Sequence, residues 1–141
     1  MSHDDAEDLA RASAGAMWDD DLASQQAGIE VVDVGPGRAK ARMTISESMI
    51  NGHEICHGGY IFMLADSAFA LACNTYGVTT VAQACDVVFV KPARLGDDLL
   101  AVAAERVRFG RNGVYDVTVL KGADIVAEFR GRSRQVGRAQ S

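Results

Sequence analysis

Two kinds of group in one stretch of this chain could do chemistry on a carbonyl. From Asn51 to Asn74 the sequence reads N-G-H-E-I-C-H-G-G-Y-I-F-M-L-A-D-S-A-F-A-L-A-C-N. Gly58 and Gly59 stand where a polar turn passes into an apolar run. The first N–H groups of a helix lack internal partners and carry partial positive charge. A glycine lets a substrate oxygen approach them closely. The pair therefore fits either a tight turn or an oxyanion hole. Farther on, Asp66 is the only acid within the run, followed by Ser67. The apolar residues from Tyr60 to Ala72 occupy every side of a helical wheel, which predicts a helix buried all round. A carboxylate there must be paired, protonated or used, and both a structural hydrogen bond and a functional role fit it.

Other chemistries find less support. His53 and His57 are four apart, as metal-ligand pairs on a helix are. Gly52, Gly58 and Gly59 make that stretch a loop, and no Cys-x-x-Cys accompanies it, so no metal or cofactor is expected. Ser67 and Cys56 lack the Gly-x-Ser-x-Gly setting of an activated nucleophile.

Geometry constrains how Gly58 and Asp66 could cooperate. Eight residues of helix span about 12 Å. A reacting carbonyl carbon must lie within about 3–4 Å of both oxyanion donor and base. One helix cannot supply both. Two antiparallel helices related by a two-fold axis can, so a site using both residues is shared between subunits.

The 141 residues fit one domain, and 48% hydrophobic residues are enough for one core. No apolar run reaches the roughly 18 residues of a membrane span. The start, M-S-H-D-D-A-E-D, lacks the apolar segment of a secretory signal. Cys56, Cys73 and Cys85 are an odd, unclustered set that fits a reducing compartment, and a cytoplasmic location is expected. Net charge is −5, which argues against a nucleic-acid partner. Residues 91–141 nevertheless hold 10 bases and 6 acids, enough to meet a small polyanion or simply to solvate strand faces.

The elements that must position these groups follow from the patterning. Residues 4–26 read as two short helical pieces, broken at Gly15 and Asp19–Asp21, with Asp19 or Asp20 as cap of the second. Ile29–Val34 and Arg38–Ile45 form a hairpin around Gly35-Pro36-Gly37. The central helix runs from about Gly58 to Tyr76-Gly77, with Gly77 as left-handed cap. Four strands follow: Thr79–Val90, ended by Pro92; Asp98–Phe109; Val114–Leu120 after a Gly110–Gly113 turn with an Asn-Gly signal; and Ile125–Val136, frayed from Gly137. The expected organisation is an N-terminal helical extension over 1–26, a domain over 27–137 and a loose 138–141. A curved antiparallel sheet around one helix is the packing this order implies, with its edges covered by a second copy.

The pattern N-G-H-x-x-C-H-G-G-x-x-x-x-L-A-D-S-A-x-A resembles hotdog-fold thioesterases of the phenylacetate-degradation (PaaI) type. The likeness extends to Val87-x-Phe89-x-Lys91-Pro92-Ala93, Gly96-Asp97, Gly113–Val117 and Phe129-Arg130-Gly131, and covers roughly residues 25–137. It implies an α+β hotdog fold and hydrolysis of an aryl-acetyl or other aromatic or short-to-medium acyl-CoA. The active form would be a homodimer with shared sites, assembled as a homotetramer. Asp66 would activate water or act as nucleophile. Gly58 of the other subunit would polarise the thioester carbonyl, Asn51 would hold that carbonyl or the water, and His57 would support the leaving sulfur. Gly59, Lys91, Arg94, Arg108, Arg111 and Asn112 are the candidates for binding substrate and CoA. Thr79, Thr80 and Gln83 are candidates for orienting water. A hotdog hydratase or dehydratase, and a non-catalytic acyl-CoA-binding subunit, are the alternative functions.

Overall fold

The computed structural model describes residues 2–139. The chain order is α1 (His3–Asp19), α2 (Leu22–Gln26), β1 (Glu30–Gly35), β2 (Arg38–Thr44), a 3-10 turn (Glu47–Met49), α3 (Gly58–Cys73), β3 (Val78–Phe89), β4 (Asp98–Phe109), β5 (Asn112–Lys121) and β6 (Asp124–Ala139). The six strands form one antiparallel sheet in the order β1-β2-β4-β5-β6-β3. Its ends do not meet, so β1 and β3 are open edges. With α3 lying against the sheet, this is the hotdog arrangement.

Small residues let the helix sit close to the strands. Ala39 and Ala41 of β2, Ala101 and Ala103 of β4 and Ala127 of β6 are all buried. A Cβ on Gly131 would come within 2.7 Å of the Phe69 ring, so the sheet can accept that ring only where a side chain is missing. Phe69 in turn meets Tyr115 and Phe129 at ring-centroid distances of 5.6 and 5.7 Å.

The sheet covers only one side of α3. Ile61, Leu64, Ala65, Ala68, Phe69, Leu71 and Ala72 are buried, whereas Gly59, Met63, Asp66 and Ala70 are half-buried or exposed. Those four positions share one helical stripe. The expectation of a helix buried all round is therefore corrected. Its apolar composition is complete, but an unclosed sheet leaves a strip uncovered.

Other local departures have simple causes. Helix α1 passes through Gly15 without a break, because Ala14 before it and Met17 and Trp18 after it pack on the core and outweigh the small helix cost of one glycine. The cap of α2 is Asp21 and neither Asp19 nor Asp20, which belong to the end of α1 and its own cap. Helix α3 stops at Cys73, and Gly77 keeps its left-handed backbone at φ 77° one short turn later. The β4–β5 turn is Gly110-Arg111, with Phe109 paired to Asn112, so the Asn-Gly pair belongs to β5. Strand β6 continues to Ala139, beyond the Gly137 where the patterning predicts fraying, because β3 pairs with it to that point. Residues 140 and 141 lie outside the described residues.

Asn74 fixes the far end of α3. Its Nδ2 donates to the Ala70 and Thr80 carbonyls at 2.8 and 2.9 Å, and its Oδ1 accepts the Thr80 N–H at 3.0 Å. Thr75 Oγ1 accepts the Gly37 N–H at 2.9 Å, tying the β1–β2 turn to the same corner. Asn74 is buried, so Asn74→Ala orphans the Thr80 amide. It should cost about 1–3 kcal/mol, read in urea unfolding at fixed protein concentration as a lower midpoint with unchanged slope.

Candidate active site

The start of α3 partitions its free N–H groups. His57 is the N-cap, and its Nδ1 accepts the Gly59 N–H at 2.8 Å. The Tyr60 N–H goes to the His57 carbonyl at 3.0 Å. The Gly58 N–H has no acceptor among the described residues. Of the two glycines, Gly58 alone is thus an available oxyanion donor, and Gly59 is occupied. A Cβ on Gly58 would lie 3.0 Å from the Phe89 ring, so the close approach of β3 explains why this position has no side chain.

Asn51 is brought to the same place by a tight loop. Its backbone N–H donates to Ile55 O at 2.8 Å, and its carbonyl accepts from Glu54 N at 3.1 Å. The loop needs a left-handed residue, supplied by Glu54 at φ 63°. The Asn51 Oδ1 accepts the His53 and Ile55 N–H groups at 2.9 and 3.4 Å. This fixes the amide orientation and leaves the Nδ2 hydrogens without a partner among the described residues. Asn51, Gly58, Ile61, Phe89, Lys91 and Pro92 line one apolar cleft of about 430 Å³. Two unpartnered donors thus open onto one cleft. Cys56 lines it too, but burial pushes its thiol up to about 11, which makes it a packing residue.

Asp66 lies elsewhere, in the uncovered strip of α3. It is half-buried, and its carboxyl is held above the ordinary 3.8, first by burial and then by the negative charge of Asp21. No hydrogen bond to it contributes, so the structural hydrogen bond that could have explained this acid is absent among the described residues. Ser67 points the other way and is buried; its Oγ donates to Met63 O at 2.7 Å. Cys73 and Cys85 both feel the Asp66 charge after the larger effect of burial, and Cys73 is pushed up to about 12. That places β3, which carries Cys85, beside the acid.

The basic candidates fall into two groups. Lys91 borders the Gly58 cleft and pairs with Asp124 at 3.2 Å. Arg94 is exposed, and its backbone N–H is held by Asp97 at 2.8 Å. Arg108, Arg111 and Asn112 line a small hollow with Cys73 and Tyr115 at the opposite end of α3. There Arg108 pairs with Glu105 at 3.1 Å and stacks 3.6 Å over Tyr76. Of the water-orienting candidates, Thr80 is buried and its hydroxyl donates to Val78 O at 2.8 Å. Thr79 is exposed. Gln83 is exposed at the β-bulge between Ala82 and Ala84, where a strand can re-aim a side chain.

Sequence reasoning passes over Phe89 and Ile61 as cleft walls and Asp21 as a neighbour of Asp66. The Phe89 position carries a signal, since an aromatic three residues before Pro92 at a strand end sits at a sheet edge. Asp21 carries none beyond being one of three consecutive aspartates.

The thioesterase superfamily model matches residues 53–128. Acyl-coenzyme A thioesterase PaaI of Escherichia coli (strain K12) is 41% identical over 126 residues, spanning 89% of this chain and 90% of that protein. The solved structure of the E. coli PaaI protein from the phenylacetic acid degradation operon superposes with a TM-score of 0.92 at 39% identity, covering 96% of this chain and 99% of that one. The smu.793 protein of Streptococcus mutans UA159, bound to acetyl CoA, superposes with a TM-score of 0.76 at 25% identity, covering 79% and 91%. A free helix-start amide beside a fixed asparagine, a half-buried carboxylate two turns on and these likenesses together place the chain in the thioesterase superfamily.

Proposed function

We propose that this chain is an acyl-CoA thioesterase that works as a closed dimer and cleaves aryl-acetyl or similar short acyl-CoA thioesters. The observation that carries the reading is the separation of two complementary half-sites on one helix. The donors Gly58 N–H and Asn51 Nδ2 open onto the apolar cleft, and the unpartnered Asp66 sits about two turns along α3 on its uncovered strip.

In the dimer the thioester carbonyl oxygen of the substrate accepts from Gly58 N–H and Asn51 Nδ2. Asp66 of the partner subunit takes a proton from water, whose oxygen attacks the carbonyl carbon. The backbone amide stabilises the oxyanion without changing protonation state. Collapse breaks the carbon–sulfur bond, and the proton passes to the CoA thiolate. Desolvation raises the basicity of Asp66 for this step. His57 serves through its cap, which fixes the Gly58 backbone. Thr79 and Gln83, both exposed on β3, are the candidates left to orient the water.

The surface supports the assembly. Edge strand β3 ends in exposed Val88, Phe89 and Val90, an apolar edge that a second copy would cover. With two α3 helices antiparallel, the Arg108–Asn112 end of one subunit comes beside the Lys91 end of the other, which suits a CoA whose phosphates need several cations. A dimer of dimers is the expected assembly. The likeness to a protein of a phenylacetic acid degradation operon favours phenylacetyl and ring-hydroxylated acyl groups. Among the described residues no helix is long and apolar enough to cross a membrane. The unpaired Cys56, Cys73 and Cys85 suit the cytoplasm.

Asp66→Asn should lower kcat by at least about two powers of ten with little change in KM. The same variant should be more stable than wild type at neutral pH. As pH rises past 3.8, an unfolded chain releases this proton first and the folded chain keeps it, so ionisation weakens folding. Asparagine removes that penalty; the gain in Tm should vanish below about pH 4. Near-normal kcat in this variant would make Asp66 structural.

Kinetics on a panel of thioesters checks the substrate: kcat/KM for phenylacetyl-CoA should exceed that for palmitoyl-CoA, and the reverse order would remove the aryl assignment.

Sharing of the site is tested by refolding Asp66→Asn together with Asn51→Ala. A mixed dimer has one doubly defective site and one intact site, so about a quarter of all sites should be wild type under random assembly. No recovery of thiol release in verified heterodimers would mean that each chain carries its own site.

A further inference from the structure

The short helix α2 meets α3 through a chain of buried oxygens. Asp21 caps α2: its Oδ1 accepts the Ser24 N–H at 3.0 Å and its Oδ2 accepts the Ser24 hydroxyl at 2.7 Å. Ser24 Oγ lies 2.8 Å from Ser67 Oγ, which lies 2.7 Å from Met63 O. Both serines are buried, at 4% and 3% exposure. The three oxygen–oxygen contacts share two hydroxyl hydrogens. An ionised carboxylate only accepts, so the Ser24 hydrogen points to Asp21 and the Ser67 hydrogen to the Met63 carbonyl, and the two serine oxygens sit in contact between them.

This chain grips α3 at Met63 and Ser67, the residues that flank Asp66. Met63 precedes Asp66 on the uncovered strip, and Ser67 follows it in sequence. The ionisable groups that interact with Asp66 from its surroundings are Asp21 of α2, Cys73 of α3 itself and Cys85 of β3. Both thiols are kept neutral by burial. Asp21 is therefore the one charge, among the described residues, that acts on the Asp66 carboxylate.

We propose that Asp21, tied through Ser24 and Ser67 to the catalytic helix, is a positioning residue for hydrolysis: it holds a second negative charge beside Asp66 and makes the N-terminal extension part of the active site. The proposal rests on the thioesterase reading with Asp66 as base. A fixed like charge disfavours the ionised form of Asp66 and strengthens it as a base once ionised. The tie matters because an unanchored aspartate would turn towards water and lose the interaction.

The test uses the full chain and the pH dependence of kcat, followed by loss of thioester absorbance with phenylacetyl-CoA. Asp21→Asn and Asp21→Ser both keep a good cap for α2 and remove the charge. Both should move the acid limb of the profile to lower pH, by roughly half a unit or more. Plateau kcat should fall several-fold while KM stays near wild type. Ser67→Ala keeps both carboxylates but cuts the tie, and should move the limb in the same direction by less. If the Asn and Ser variants lose Tm or kcat while their acid limbs superpose on wild type, Asp21 is only a helix cap and the proposal is overturned. Failure of the underlying reading looks different: Asp66→Asn would then keep its turnover, whatever the Asp21 variants do.

Discussion

An α-helix cannot bring its own residues 58 and 66 together, and much of this molecule follows from that rigidity. Eight residues hold the free Gly58 amide and the Asp66 carboxylate about 12 Å apart. For both to serve one carbonyl, α3 must be left partly uncovered, with room for a second copy. The fold meets this need. The sheet does not close, its edge strand β3 ends beside Gly58, and the helix exposes a strip that carries Asp66 in its middle. The exposed Val88, Phe89 and Val90 look like poor design for an isolated chain. In the proposed dimer a second copy would cover them.

Much of this is legible from residue types. The order of helices and strands and the free Gly58 amide follow from alternation, glycine placement and helix-end chemistry, while the role of Asn51 beside it comes from the resemblance to PaaI-type thioesterases. What sequence cannot supply is the partner of each surface. Hydrophobicity records that Met63 and Ala70 avoid water, but not that the sheet leaves them half-buried. Gly15 shows a related limit. Its weak helix propensity predicts a break, yet Ser13 receives the Gly77 N–H at 3.2 Å and Ala14 is buried in the core, and these contacts carry the helix through. The interaction of Asp21 with Asp66 joins positions 45 residues apart, and no local pattern encodes it.

The phosphate-binding candidates show how one sequence set can divide in space. Lys91 and Arg108 both come from the basic third of the chain, but they stand at opposite ends of α3. Within one chain they could not grip one CoA. A two-fold axis with antiparallel helices removes that obstacle, because it sets opposite ends side by side. In the proposed dimer, the geometry that would bring Gly58 to Asp66 would bring the cations together as well.

The choice of histidine as the cap of α3 follows from the same electrostatics. Aspartate and serine are commoner N-caps, and this chain uses them for α2 and α1. An aspartate at position 57 would set a fixed negative charge next to the Gly58 amide, where the oxyanion must form, and would oppose it. The imidazole Nδ1 accepts the Gly59 N–H through its ring lone pair, so the cap is made without a carboxylate. It also takes one amide and leaves the next, which aims the remaining positive end of the helix at a single point. Negative charge is kept instead about two turns down the helix, at Asp66, and across from it at Asp21. There Asp21 adds to burial in raising the affinity of the Asp66 carboxyl for a proton. The separation of capping, carbonyl activation and proton transfer along one helix is what lets three polar functions occupy an otherwise apolar element.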